Sequence, residues 1–192
     1  MPKKDWLENN VQRIFEDAAL FPTRKIQTVL DVGCGLSLKS QYINAEIRVG
    51  VDIYRPYLEK IEAPMPYVVI NADALQIGNL FLPNSFDLVL VLDILEHLKR
   101  QEALRLLDMA ETIAKVAVIV ETPKGHVPQN IDIWGWGGDI YQTHRSAWEP
   151  GDFTSRGYAI VIRDYQMSDV RRHTELEVDP NIQMIDAIKS MS

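Results

Sequence analysis

Cysteine is nearly absent from this 192-residue chain, and the single copy, Cys34, excludes an internal disulfide. No apolar leader is present, and no apolar run reaches the ~18 residues that a membrane helix needs, so a soluble, cytoplasmic protein is expected. Basic charge is also scarce: 20 Lys and Arg face 27 Asp and Glu, for a net charge of −7. No stretch offers the cationic surface that phosphate neutralisation requires, which excludes nucleic acid and leaves a small molecule or a protein as the expected partner. The four histidines, His97, His126, His144 and His173, show no paired ligand spacing, so no metal is expected. Internal repeats, low-complexity tracts and long linkers are missing too. With 46% apolar residues, one domain over residues 1–192 can build one sizeable core, as a monomer or a homodimer.

What is present is concentrated first in Val29-Leu30-Asp31-Val32-Gly33-Cys34-Gly35-Leu36-Ser37, an apolar strand that runs through an acid into a paired-glycine turn. Glycines at 33 and 35 let backbone approach a ligand and permit the positive φ of a sharp strand-to-helix turn. A dinucleotide fingerprint would need a third glycine at Leu38, and Asp31 would repel a pyrophosphate; both points count against NAD. A cationic ligand carrying an amino group would instead be attracted to Asp31, and S-adenosylmethionine is such a ligand. Cys34 is read as a small residue within the turn.

Later segments repeat the theme. Asp52 ends the apolar run Val49-Gly50-Val51, 21 residues after Asp31, near the ~20-residue interval of a ribose-binding acid. Asp73 follows after another 21 residues, behind Val68-Val69-Ile70, where a carboxylate could accept from an adenine amino group. Apolar runs near 26–31, 46–52, 66–71, 86–92 and 115–121 alternate with helical stretches, which predicts a parallel sheet covered on both faces. Ligands of such sheets lie beyond the carboxyl ends of the strands, the edge where Asp31, Asp52 and Asp73 all fall.

The glycine turn resembles motif I of the class I S-adenosylmethionine-dependent methyltransferases, with Ser37 in place of that pattern's third glycine, and Ser85 to Leu98 resembles their motif IV. The resemblance implies a Rossmann-like, doubly wound α/β fold: seven strands, mostly parallel, helices on both faces, and an antiparallel C-terminal hairpin strand inserted between the fifth and sixth. It also implies S-adenosylmethionine as cofactor. Asp31, Gly33, Cys34 and Gly35 would then hold the methionine end, Asp52 and Ile53 the ribose, and Asp73 and Ala74 the adenine. Leu92, Asp93 and His97 would line the donor side of the acceptor pocket.

Trp6, Leu7, Val11, Ile14, Phe15 and Ala18 recur at helical spacing between Asp5 and Pro22, predicting an N-terminal helix within residues 1–25. Residues 123–151 form a loop dense in aromatics and glycine past the fifth strand, the place where such folds build substrate sites. Trp134, Trp136, Tyr141, Gln142, Arg145 and Trp148 are its candidate substrate contacts. His144 is the candidate general base, because imidazole is matched to proton removal near neutral pH. An apolar strand is expected from Tyr158 to Tyr165. Periodicity leaves 181–189 open between helix and strand; the resemblance implies a strand.

The expected activity is transfer of a methyl group to an unidentified, small-molecule acceptor by direct displacement. The alternatives are a catalytically silent binding protein of the same fold and a nucleotide-dependent oxidoreductase.

Overall fold

A computed structural model describes residues 26–37, 39–40, 43, 45–62, 66–165 and 181–191. The helix expected before residue 25, Leu38 and His173 lie outside them. The five apolar runs form β1 (Thr28–Val32), β2 (Ile47–Asp52), β3 (Tyr67–Asn71), β4 (Phe86–Leu92) and β5 (Ala114–Pro123), and two later strands are β6 (Ala159–Asp164) and β7 (Gln183–Ser190). They make one seven-stranded sheet of order β3-β2-β1-β4-β5-β7-β6. The first five pair in parallel, whereas β7 lies antiparallel between β5 and β6, as the resemblance implies.

Both faces of the central strands are buried, which explains their unbroken apolar runs. Side chains alternate across a pleated strand, so neighbours enter different cores. Leu30, Val32, Val89, Val91, Val118 and Val120 join one cluster; Val29, Leu88, Leu90, Ala117 and Ile119 join the other. A one-residue slip of any central strand would exchange these sets and mismatch both cores.

The described helices are α1 (Arg55–Leu58), α2 (Ile77–Leu80), α3 (Arg100–Ile113), α4 (Asp139–Gln142) and α5 (Pro150–Thr154). Helix α3 covers the first face through Ala103, Leu106, Leu107, Ala110 and Ile113, one stripe at helical spacing. Its entry is fixed by Glu102, whose carboxylate accepts from the Lys99 amide at 3.1 Å. Burial of each Leu or Ile on that stripe contributes about 1.5–3 kcal/mol, far more than the cap.

One buried acid belongs to the fold rather than to the ligand edge. Asp87 Oδ2 accepts from the amides of Gln27 and Thr28 at 2.8 and 3.1 Å, and the Thr28 hydroxyl accepts from the Asp87 amide at 2.9 Å. This exchange sets β1 against β4 at the edge opposite the candidate site. Among the described residues, no helix is long and apolar enough to cross a membrane.

Candidate functional site

The turn after β1 is built as its glycines require. Gly33 and Gly35 adopt φ of +69° and +49°, and Ser37, standing where the resembling pattern has glycine, keeps the same left-handed backbone at +56°. The amides of Gly33 and Cys34 both donate to the Val51 carbonyl, at 2.8 and 3.1 Å, which clamps the turn onto β2. A Cβ on Gly33 would lie 2.4 Å from the Ile94 side chain, so close packing demands that glycine; a Cβ on Gly35 would meet nothing within 4 Å. The turn is therefore packed on one side and open on the other.

Asp31, Asp52 and Asp73 stand at the carboxyl ends of the adjacent strands β1, β2 and β3. Asp52 accepts from the Gly35 amide at 2.9 Å and from the Tyr54 amide at 2.7 Å, one bond to each oxygen, and so ties the first two turns together. Burial raises its pKa against those bonds. Asp73 caps the short 3-10 helix Ala74–Gln76 through the Leu75 amide at 2.9 Å. The Ala74 methyl lies in the core, leaving its backbone as the part that can meet a ligand. Ile53 is exposed beside Asp52.

Asp31 is more enclosed than a strand-end acid need be. Its side chain accepts from the Ser40 hydroxyl, which in turn bonds Ser37 Oγ at 2.7 Å. Burial pushes it up to about 6, with the nearby Asp52 adding to the rise. The Cys34 thiol is buried and its pKa driven upward by burial and by Asp31, so it is an inert packing group.

At the ends of β4 and β5 a different construction appears. Asp93, with φ of +50°, follows β4 and pairs with Lys39; Lys39 also pairs with Glu121 on β5. Glu121 bonds Arg163 of β6 at 2.7 Å, and Arg163 bonds Asp186 of β7 at 2.8 Å. Burial alone would raise Glu121, but Lys39 and Arg163 outweigh it and hold that carboxyl down at about 2. Asp186 is pushed up to about 7 by burial and by Glu121, against the pull of Arg163. Leu92 sits beside Glu121 in the β4–β5 register.

Above this chain of charges, Glu96 and His97 end a short 3-10 helix, Leu95–His97. Glu96 is buried and accepts from the Thr122 hydroxyl at 3.0 Å; burial, reinforced by Asp93, raises it to about 8. The His97 and His144 rings meet edge to face, 4.8 Å between centroids. Burial, followed by the neighbouring His144, lowers His97 to about 3, and burial also lowers His144, so both imidazoles are neutral at pH 7.

The loop over residues 123–151 is closed at its base by the Gly125 amide donating to the Trp148 carbonyl at 2.7 Å. Its tip is organised by Asp132, whose carboxylate accepts from the amides of Trp134, Trp136 and Gly138 at 2.8, 2.8 and 3.0 Å. The Tyr54 hydroxyl donates to the Trp136 carbonyl at 2.6 Å, and the Tyr54 ring packs 5.3 Å from that of Tyr141. The tip thus reaches back across the sheet edge to the end of β2.

The predicted substrate contacts divide. Trp134, Trp136 and Tyr141 lie on this tip, and Gln142 accepts from the Gln129 side chain at 2.9 Å through its carbonyl. Arg145 spends its guanidinium on the carbonyls of His97, at 2.6 Å, Thr143 and Ile140, acting as a strut. Trp148 is corrected outright: it is fully buried in the core, under the Arg100 guanidinium at 4.0 Å and beside Phe153, because its large apolar ring seals the end of α3. Lys39, Glu96, Glu121, Asp132, Arg163 and Asp186 are site residues that the sequence pattern did not single out. Only Asp132 carried a local signal, an Asx-type acid ahead of the glycines of Trp134 to Gly138.

A doubly wound sheet with this order, a glycine turn after β1 and acids at three successive strand ends define the fold of the class I methyltransferases. The sequence model of the methyltransferase domain family matches residues 30–115, which carry the turn, all three acids and β4. No curated protein sequence matches the chain. Among solved structures, an S-adenosylmethionine-dependent methyltransferase from Archaeoglobus fulgidus is 18% identical with a TM-score of 0.58, covering 95% of this chain and 94% of that one. Magnesium protoporphyrin IX methyltransferase from Synechocystis, solved with bound S-adenosylmethionine, is 17% identical with a TM-score of 0.55, over 97% and 79%. An N-methyltransferase from Bradyrhizobium japonicum, in complex with S-adenosylhomocysteine, is 12% identical with a TM-score of 0.61, over 98% and 87%. Over residues 30–115 the chain is similar to the methyltransferase domain family, and its fold is that of these S-adenosylmethionine-dependent methyltransferase structures.

Proposed function

We propose that the protein binds S-adenosylmethionine along the ends of β1, β2 and β3 and transfers its methyl group to a small-molecule acceptor held past β4 and β5. The observation that carries this reading is the convergence of Asp31, Asp52 and Asp73 around a glycine turn whose outer side is open at Gly35. An acidic rim of this kind suits a ligand that carries sulfonium and ammonium charge, and it opposes a pyrophosphate. The matched domain and the cofactor-bound neighbours support it.

Bound there, S-adenosylmethionine supplies an activated, electrophilic methyl group, so the protein's task is chiefly to position. Asp31 with the backbone of Gly33, Cys34 and Gly35 holds the methionine end. Asp52, beside Ile53, keeps lone pairs for the ribose hydroxyls after its two amide bonds are made, and Asp73 with the Ala74 backbone holds the adenine. Leu92, Asp93 and His97 form the wall between cofactor and acceptor. The tip with Trp134, Trp136 and Tyr141 closes over both, excluding water. His144 contacts the Val127 carbonyl through Nδ1 at 2.5 Å; with the proton on Nδ1, its neutral ring keeps Nε2 free to take the acceptor's proton.

The test is incubation of the purified chain with methyl-labelled S-adenosylmethionine and the small-molecule fraction of a cell extract. Label should move into an extract component with release of S-adenosylhomocysteine. Binding without any transfer, across varied extracts, would contradict the catalytic reading.

A further inference from the structure

Glu96, His97 and His144 come from two segments far apart in sequence, yet one ligand-type atom of each lies within 4.8 Å of the other two. Each imidazole can offer one nitrogen lone pair there, and a metal ion would displace the proton that burial leaves on Glu96 at pH 7. Glu96 is anchored from behind by the Thr122 hydroxyl, at 3.0 Å on Oε2. His144 directs Nδ1 to the Val127 carbonyl at 2.5 Å, the backbone contact by which metal-ligating histidines fix their tautomer and free the second nitrogen. Nδ1 of His97 is buried with no hydrogen-bond partner, an orphaned lone-pair donor in an otherwise bonded region. The backbone amides of Arg145 and Ser146 both donate to the Glu96 carbonyl, at 2.6 and 3.1 Å, which locks the two segments together.

We propose that Glu96, His97 and His144 form a binding site for a borderline divalent transition metal, of the Zn2+, Co2+ or Mn2+ kind. Two imidazoles and a carboxylate select that class over Mg2+ and Ca2+, which prefer all-oxygen sites. With bonds of about 2.0–2.2 Å, tetrahedral ligand atoms lie ~3.3–3.6 Å apart, so a trio spread over as much as 4.8 Å contracts by roughly 1 Å on metal binding, within the reach of side-chain rotation. Three protein ligands leave coordination positions open, the pattern of a catalytic site rather than a structural one. Resting on the methyl-transfer reading, the open position takes an acceptor oxygen, whose proton the cation helps release to water. His144 is then a ligand when the metal is bound and a base when it is not.

The experiment is titration of the full chain with Co2+, followed by visible absorption, in the absence of any S-adenosyl compound. One equivalent should bind saturably, and Zn2+ should displace it whereas Mg2+ should not. His144→Asn and Glu96→Gln should each lower Co2+ affinity by about 100-fold or more, and Thr122→Val, which removes only the support behind Glu96, by about 10-fold. S-adenosylhomocysteine titration in parallel separates the two readings: His144→Asn should keep that binding and lose Co2+, and Asp52→Ala should do the reverse. No Co2+ spectrum from folded protein, equal affinity in the His144 variant, or displacement by Mg2+ as effective as by Zn2+ would overturn the site.

Discussion

The sheet edge divides into two halves that solve the same problem differently. Over β1, β2 and β3 each acid sits at its own strand end: Asp52 is held by the amides of Gly35 and Tyr54, Asp73 by that of Leu75, and Asp31 by the Ser40 hydroxyl. Over β4, β5, β7 and β6 the side chains hold one another, through Asp93, Lys39, Glu121, Arg163 and Asp186. Backbone-held acids keep free lone pairs for a ligand, whereas paired side chains consume theirs and resist removal of any member. The first half is therefore expected to tolerate substitution and lose binding, and the second to lose stability.

The largest expected effect lies in the second half. Glu121→Ala should destabilise the protein by about 3–5 kcal/mol, because it strands Lys39 and Arg163 around an uncompensated, buried gap. Urea denaturation reads the loss, and a change below about 1 kcal/mol would mean that the network is dispensable. Asp52→Ala comes next: two amides lose their acceptor, costing about 1–3 kcal/mol, while affinity for S-adenosylhomocysteine should fall at least about tenfold in calorimetry.

Stability against pH should separate Asp31 from Glu121 by sign. Asp31 is raised from 3.8 to about 6, so its contribution is present below its unfolded pKa and is lost as pH rises through that window. Glu121 is lowered from 4.5 to about 2, so its contribution is present above its unfolded pKa and is lost as pH falls through that window. Asp31→Asn should flatten the first decline and leave the acid limb in place; a variant that altered only the acid limb would reverse the assignment. The smallest effect is at the bridge between the halves. Tyr54→Phe removes one bond to the Trp136 carbonyl and should cost about 0.5–1.5 kcal/mol, with faster proteolysis within residues 132–142 as a second readout.

The same contrast explains which features are legible in the amino-acid sequence. Apolar runs with both faces buried mark β1 to β5, and acids at 21-residue intervals mark Asp31, Asp52 and Asp73, since each strand end is a local event in sequence. Residues 181–189 are ambiguous because β7, inserted between β5 and β6, is buried along most of its length, so neither face carries a polar stripe. The second half is hidden for a different reason. Lys39 and Glu121 stand 82 residues apart, and His97 and His144 show no ligand spacing, so only the tertiary fold makes them neighbours. Trp148 misleads because an aromatic in a glycine-rich loop resembles a ligand contact until packing shows it beneath Arg100.

The central claim, that the first half holds S-adenosylmethionine, is tested most directly by isothermal titration of the purified chain with S-adenosylmethionine and S-adenosylhomocysteine, with NAD as the control. Saturable heat with both S-adenosyl compounds and none with NAD is the predicted result. A folded sample that gives no heat with either, or that binds NAD instead, would contradict it.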